Sequence, residues 1–325
     1  METSLHIFKH IDEAKDTLSK FPGTVVCIGN FDGCHLGHQH LMRHVIKTSK
    51  AAGYPSLALT FDPNPKIYFK PELAKTVIYT IDQKIRAFKE IGIDFTVVQP
   101  FNDEFQKIDP QEFTESLKRD LKCHSLFVGK NFKFGRDRAG DIDFLKTHQN
   151  LFKVEDIPVK PSEGCTISST RIREAISSGN VAVAHKLLGR PYSILGKISQ
   201  GQKLGRTIGF PTANLDPESP LIPKPGVYCG YMSLNESPTE LTLDKSHLYQ
   251  CVFNIGRNPT VGGDLPLSIE GHALDETWDF DYLYGKQCRF YLTQRIRSEI
   301  KFDSLEDLKG QIYKDCSSAR DLLNQ

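Results

Sequence analysis

Between a strand-length apolar run, Thr24 to Ile28, and a helical pattern marked by Leu41, Met42, Val45 and Ile46 and stopped by Gly53 stands the string Gly29-Asn30-Phe31-Asp32-Gly33-Cys34-His35-Leu36-Gly37-His38. A loop that enters a helix offers unsatisfied backbone N–H groups and the positive end of the helix dipole, and both favour an anion. Glycines at 29, 33 and 37 let the backbone approach a ligand closely. His35 and His38, three apart, share a helix face and can reach the same phosphoryl oxygens. Donors placed in this way stabilise the charge that builds on non-bridging oxygens during in-line attack at phosphorus. A lone H-x-x-H pair is more often structural, and a zinc site needs further ligands that the neighbourhood lacks. The glycine setting favours a phosphate cradle, with Gly29, Phe31, Asp32, Gly33 and Gly37 around the two imidazoles, over the zinc alternative.

Two further strings point to phosphate chemistry. Ser168-Ser169-Thr170-Arg171-Ile172-Arg173 opens a later helical pattern with hydroxyls, N–H groups and a planar guanidinium, although taken alone it is an ordinary helix cap. Gly205-Arg206-Thr207-Ile208-Gly209-Phe210-Pro211-Thr212-Ala213-Asn214-Leu215 is no Walker loop, since the chain holds no G-x-x-x-x-G-K-[ST]. Its glycines allow close approach, and Thr212 and Asn214, two apart on an extended segment, turn hard oxygen atoms to one side, which suits magnesium. On spacing alone that segment is a glycine-rich hairpin with a polar edge.

The elements that position these strings change in kind along the chain. Strand-length runs at 24–28, 56–61, 95–98 and 125–128 alternate with helical periods, one opened by a Thr80/Gln83 capping box and another by Asp109-Pro110. That alternation predicts a parallel, doubly wound sheet. Short helical patterns at 169–177 and 181–188 close this half, and Gly189-Arg190-Pro191 breaks the chain, so the boundary is placed after residue 186. From Ser193 to Gln294 the runs are short and β-branched or aromatic, as at 226–232, 250–255 and 287–292, which predicts an antiparallel barrel. Ser304 and Asp307 cap a last helix whose stripe of Leu305, Leu308, Ile312, Ala319 and Leu323 is expected to pack on that barrel.

Composition narrows the class. Hydrophobic residues are 39% and charged residues 25% of 325, the composition of a folded globular chain. Forty-one Lys and Arg against 40 Asp and Glu leave +1, so no basic stripe draws the chain to nucleic acid or to anionic lipid. Eight scattered cysteines form no C-x-x-C pair and read as free thiols in a reducing compartment. No leader and no bilayer-length apolar run is evident, and the expected location is the cytoplasm.

Taken together, GNFDGCHLGH and ISSTRIR resemble the two signatures of the adenylyltransferase domain of bacterial riboflavin kinase/FAD synthetases. GRTIGFPTANL, followed in the family's order by GVYCGY (226–231), NIGRNPTVGG (254–263) and YGK (284–286), resembles the riboflavin kinase hallmark. The resemblance implies a Rossmann-like nucleotidyltransferase domain (1–186), then a Greek-key antiparallel β-barrel with a C-terminal helix (187–325). It implies a bifunctional enzyme that phosphorylates riboflavin to FMN and adenylylates FMN to FAD, with ATP and Mg2+. Under it His35, His38 and Arg171, with Ser169 and Thr170, handle ATP phosphates in the first domain, and Gly205, Thr207 and Gly209 do so in the second. Asn131, Phe132 and Phe134 of Asn131-Phe132-Lys133-Phe134-Gly135, with Arg257, lie near flavin; Thr212 and Asn214 hold the metal; Glu270 is the general base for the riboflavin 5′-hydroxyl. The partners implied are small molecules, not nucleic acid or membrane, for a monomer or weak homo-oligomer. The family usually shows a histidine within Phe61-Asp62-Pro63-Asn64-Pro65, where this chain has Asn64, and that departure keeps open a kinase with a weakened adenylyltransferase domain. Gly271 stands where a larger residue is expected beside Glu270, which predicts looser strand packing there.

Overall fold

The computed structural model describes residues 5–156, 166–201, 204–234, 241, 248–257, 267–274 and 283–324. Cys165, Asn258 to Gly263 and Asp275 lie outside the described residues. The chain folds as two compact units, Met1–Ser168 and Ser169–Gln325.

In the first unit the apolar runs become β1 (His6–Phe8), β2 (Thr24–Ile28), β3 (Ser56–Asp62), β4 (Phe95–Pro100), β5 (Cys123–Val128) and β8 (Lys153–Asp156), with a two-stranded hairpin of β6 (Lys133–Phe134) and β7 (Gly140–Asp141). The six long-range partners form one sheet in the order β1-β4-β3-β2-β5-β8, and every pairing is parallel. Parallel strands are buried on both faces, which is why β2 reads as an unbroken apolar run with all five residues buried. Crossovers carry α1 (Lys15–Leu18), α2 (Leu36–Ala52), α3 (Pro65–Phe69), α4 (Ile81–Ile91), α5 (Pro110–Arg119) and α6 (Ile142–Thr147). The caps fall where the spacing predicts: Thr80 and Gln83 form the capping box of α4, Asp109 accepts from the Gln111 N–H at the start of α5, and Gly53 ends α2 at φ 69°. The short edge strands β1 and β8 and the hairpin are additions, because two to four residues at a sheet edge carry no period to read.

From β2 the chain steps outward to β3 and β4 and returns to the opposite side of β2 for β5 and β8. Ligands in open α/β sheets sit outside the strands' carboxyl ends at such a reversal. Ile28 stands in register between Leu59 of β3 and Val128 of β5. The loops that begin at Gly29, Pro63 and Gly129 thus leave three neighbouring strands at one edge of the sheet.

In the second unit α7 (Ser169–Ser177) and α8 (Val181–Leu188) match the sequence reading and precede β9 (Tyr192–Ser199). By packing, the chain divides earlier than the expected boundary after residue 186, because α8 lies against β9 and the later strand β14. A one-turn helix α9 (Leu204–Thr207), then β10 (Ala213–Pro217), β11 (Gly226–Ser233), β12 (Leu248–Arg257), β13 (Leu267–Ala273) and β14 (Gln287–Arg297) complete the set. The barrel closes as β10-β13-β12-β11-β14-β9 with antiparallel pairing throughout. The run β14-β11-β12-β13 sets the fourth strand beside the first of a three-strand meander, the Greek-key order. The C-terminal helix (Leu305–Leu323) is capped by Ser304 and packs Cys316 and Ala319, with Ile312, Leu322 and Leu323, against Phe210, Val227, Cys229 and Val252. Leu305, the first residue of the predicted stripe, is 56% exposed, so barrel contact starts further along the helix.

The looseness expected at Gly271 is absent. An ideal Cβ there would stand 2.9 Å from Cζ of Phe290 and 3.1 Å from the ring of Phe253, so two aromatic rings fill the space that glycine leaves.

Candidate active sites

At the carboxyl edge of β2 the loop is shaped by strain that glycine and packing accept together. Phe31 and Gly33 take left-handed conformations, at φ 49° and 75°. A side chain on Gly29 would strike the Phe31 ring, whose edge meets His38 with 5.3 Å between centroids. The buried Asp32 carboxylate accepts from the N–H groups of Ile78 at 3.0 Å and Tyr79 at 3.1 Å, tying the loop to the approach of α4. Asp32 is thus engaged by backbone donors, and Gly37 lies buried in the first turn of α2.

His35 caps α2: its Nδ1 accepts from the His38 N–H at 3.2 Å, so in the neutral ring the proton stands on Nε2. The two imidazoles stack at 3.5 Å between centroids with 16° between planes. Burial, then His35, then the Lys84 charge push the His38 pKa well below the ordinary imidazole value. His38 Nδ1 is enclosed with no hydrogen-bond partner, and a buried lone pair is less costly to leave unpaired than a buried N–H, which again puts the proton on Nε2. The pair therefore presents two Nε2–H donors at a helix N-terminus, an arrangement suited to a phosphate.

A third basic group in this cradle was not singled out from the sequence. Lys84 is 4% exposed, and its Nζ donates to the Asn30 carbonyl at 3.1 Å and to Thr60 Oγ1 at 3.4 Å. The signal was present, since residue 84 falls on the apolar face shared by Ile81, Ile85 and Phe88, where a lysine is out of place.

Asn64 is buried and caps α3, its Oδ1 accepting from the Lys66 N–H at 3.0 Å. Beyond β5, Asn131 is exposed and Phe132 half-buried. Phe134 belongs to the core, packed on Phe113 at 5.2 Å and Phe144 at 5.9 Å. Phe132 stacks on Phe134 at 5.4 Å, which leaves Asn131 and Phe132 as the outer part of this loop.

In the second unit a cleft of about 980 Å³ lies between the barrel and the start of the C-terminal helix. Gly201, Gly205, Thr212, Asn214, Asn254, Glu270 and His272 are among its lining residues. Glu270 stands in register between Asn214 of β10 and Asn254 of β12. Its Oε2 accepts from Thr212 Oγ1 at 3.1 Å and its Oε1 from Ser268 Oγ at 2.9 Å, so both carboxylate oxygens are oriented. His272 Nδ1–H donates to the Pro211 carbonyl at 2.8 Å and holds the Thr212 segment to β13; burial keeps that imidazole below its ordinary pKa. Glycine is required at Gly205, where a Cβ would collide with the Phe210 carbonyl, and a Cβ on Gly201 would displace the Asn214 amide. Thr207 and Gly209 are exposed, and Arg257 ends β12. The sequence string thus becomes a cluster of a hydroxyl, an amide and a carboxylate from neighbouring chain segments. An all-oxygen set of this kind suits a hard divalent cation.

The FAD synthetase family profile matches residues 18–171 and the riboflavin kinase profile residues 188–323. A bifunctional riboflavin kinase/FMN adenylyltransferase from Haemophilus influenzae is 35% identical over 305 residues, covering 93% of this chain and 95% of that protein. The chain belongs to this bifunctional family. Its Escherichia coli K12 member is likewise 35% identical, over 310 residues and 94% of this chain and 95% of that protein. A crystal structure from Streptococcus pneumoniae, described as a macrolide-efflux protein, superposes with a TM-score of 0.82 at 30% identity, over 97% of this chain and 98% of that one. Among the described residues no helix is long and apolar enough to cross a membrane. Within the family's two segments, His35, His38 and Lys84 fall in the FAD synthetase match, and Thr212, Asn214 and Glu270 in the riboflavin kinase match. Ser169, Thr170 and Arg171 stand in the first turn of α7, at the end of the first match.

Proposed function

We propose that the chain makes FMN from riboflavin in the barrel and FAD from FMN at the sheet edge, consuming one ATP at each site. The observation that carries this reading is the Thr212–Glu270–Asn214 cluster in the barrel cleft. Glu270, held from both sides, accepts the proton of the riboflavin 5′-hydroxyl as that oxygen takes the γ-phosphoryl group and ADP leaves. Mg2+ held by Thr212 and Asn214 would neutralise the β- and γ-oxygens. Gly205, Thr207 and Gly209 are assigned to the triphosphate, and Arg257 to the flavin.

At the sheet edge the FMN phosphate attacks the α-phosphorus of ATP and pyrophosphate leaves. His35 and His38 donate from Nε2 to the non-bridging oxygens; Ser169, Thr170 and Arg171, at the start of the second unit, are assigned to phosphate binding by the family signature that they carry. Asn131 and Phe132 serve the flavin side. The functional division is assigned to residues 1–186 and 187–325, in a cytoplasmic monomer or weak homo-oligomer that acts on small molecules. Asn64 argues against a decayed first domain, because its side chain secures α3 as a cap and leaves the loop intact.

The test is chromatography of the products formed by the purified chain from riboflavin, ATP and magnesium. FMN followed by FAD is expected, with both lost on chelation of the metal. FMN alone selects the kinase-only reading, and neither product rejects the proposal.

A further inference from the structure

The strongest unassigned feature is the buried Lys84. A lysine almost never lies inside a protein unless its charge is used, because removing an ammonium from water is costly and a methionine fills the same space without that penalty. Here it is 4% exposed, yet among the described residues it forms no ion pair with a carboxylate; its contacts are the Asn30 carbonyl and the Thr60 hydroxyl. The Asn30 carbonyl also receives the Thr60 hydroxyl at 3.4 Å. That carbonyl belongs to the loop whose outer side should meet an anion, and a carbonyl lone pair facing a phosphate would repel it. By accepting from a buried ammonium, the carbonyl is turned inward.

We propose that Lys84 is a positioning residue for adenylyl transfer: it holds the Asn30 carbonyl away from the phosphate cradle and places a fixed positive charge behind His38. This rests on the reading of the sheet edge as the adenylyl-transfer site. Asp32 and Lys84 act as two ties between the same elements, the carboxylate gripping the amides before α4 and the α4 ammonium gripping the loop. The charged and titratable neighbours are consistent with a cationic Lys84. Burial lowers its pKa, while Asp32, Asp62 and Cys34 oppose that shift. His38 faces His35 from its own turn and Lys84 from α4, and both disfavour its protonation. Lys84 thereby helps keep His38 a neutral Nε2–H donor.

The experiment uses the full chain and measures FAD formation from FMN and ATP, with FMN formation from riboflavin as an internal control. Lys84→Met is expected to lower kcat/KM for FAD formation on the order of 100-fold, as for loss of one preorganised charge-stabilising group. Kinase turnover should not change. The acid limb of the FAD-forming pH profile should move to higher pH, since His38 protonates more readily without the neighbouring charge. Lys84→Arg keeps the charge and should recover part of the loss even if Lys84→Met folds poorly. A folded Lys84→Met chain with parental kcat/KM and an unmoved acid limb overturns the proposal, as does a folded Lys84→Arg chain no better than Lys84→Met. A parental chain that forms no FAD removes the adenylyl-transfer reading itself, and this inference with it.

Discussion

The two sites meet a similar ligand chemistry with opposite means. At the sheet edge the protein supplies positive potential: a helix N-terminus, two stacked imidazoles and a buried lysine, with the carboxylate of Asp32 turned to backbone amides. In the barrel cleft the groups around Glu270 are Thr212, Ser268, Asn214 and Asn254, none of them cationic. A parallel sheet feeds strands directly into helices, so its carboxyl edge comes with oriented N–H groups. Antiparallel strands have only small net dipoles, and the groups that hold Glu270 are uncharged oxygen and amide groups, a set suited to a hard cation between protein and triphosphate. The architecture determines which partner carries the charge.

Five substitutions or titrations test this contrast. Glu270→Gln should lower riboflavin phosphorylation on the order of 1,000-fold, the scale of a lost general base, with FAD formation from FMN unchanged. Equal loss of both activities would show that the sites are not separate. His38→Ala should do the reverse, lowering FAD formation on the order of 100-fold while sparing the kinase. Gly271→Ala pushes a methyl group into Phe290 and Phe253 and should destabilise the barrel by about 1–3 kcal/mol in a denaturant melt. Parental stability would mean that the rings move aside freely.

The pH response separates the units further. His38 has a folded pKa below its unfolded value, so its contribution is complete above the ordinary imidazole pKa and is lost as pH falls below it. Stability of the sheet unit should fall by up to about 1.4 kcal/mol per pH unit in that window, and His38→Gln should flatten the slope. The smallest effect concerns Asn64. Asn64→Ala removes a cap and should lower stability by about 1 kcal/mol while FAD formation persists. Loss of FAD formation without loss of stability would place Asn64 in the chemistry instead.

Most elements were legible where local physics repeats. The capping box at Thr80 and Gln83, the Asp109 cap, the Gly53 stop and both helices between 169 and 188 follow from short-range rules that the structure obeys. Edge strands such as His6–Phe8 were not legible, because a strand of three residues is made by its neighbour rather than by its own pattern. Phe132 and Phe134 look equivalent in the string, yet one is half-buried and the other in the core, a difference set by α5 and α6 packing on the hairpin. Gly271 suggested a gap, and only the positions of two rings on other strands show that it is filled.

By itself the sequence determined the chemistry on offer: phosphate-seeking loops, hard oxygens at 212 and 214, a carboxylate at 270 and the order of two unlike folding patterns. Tertiary structure decided which of these groups meet. Glu270 lies 58 residues from Thr212 and is brought to 3.1 Å by the pairing of β10 with β13. Lys84 comes 54 residues from Asn30 to 3.1 Å by the return of α4 onto the β2 loop. Local propensity acts over a few residues and can be read in order, whereas strand register and helix docking are fixed by burial summed over the whole unit.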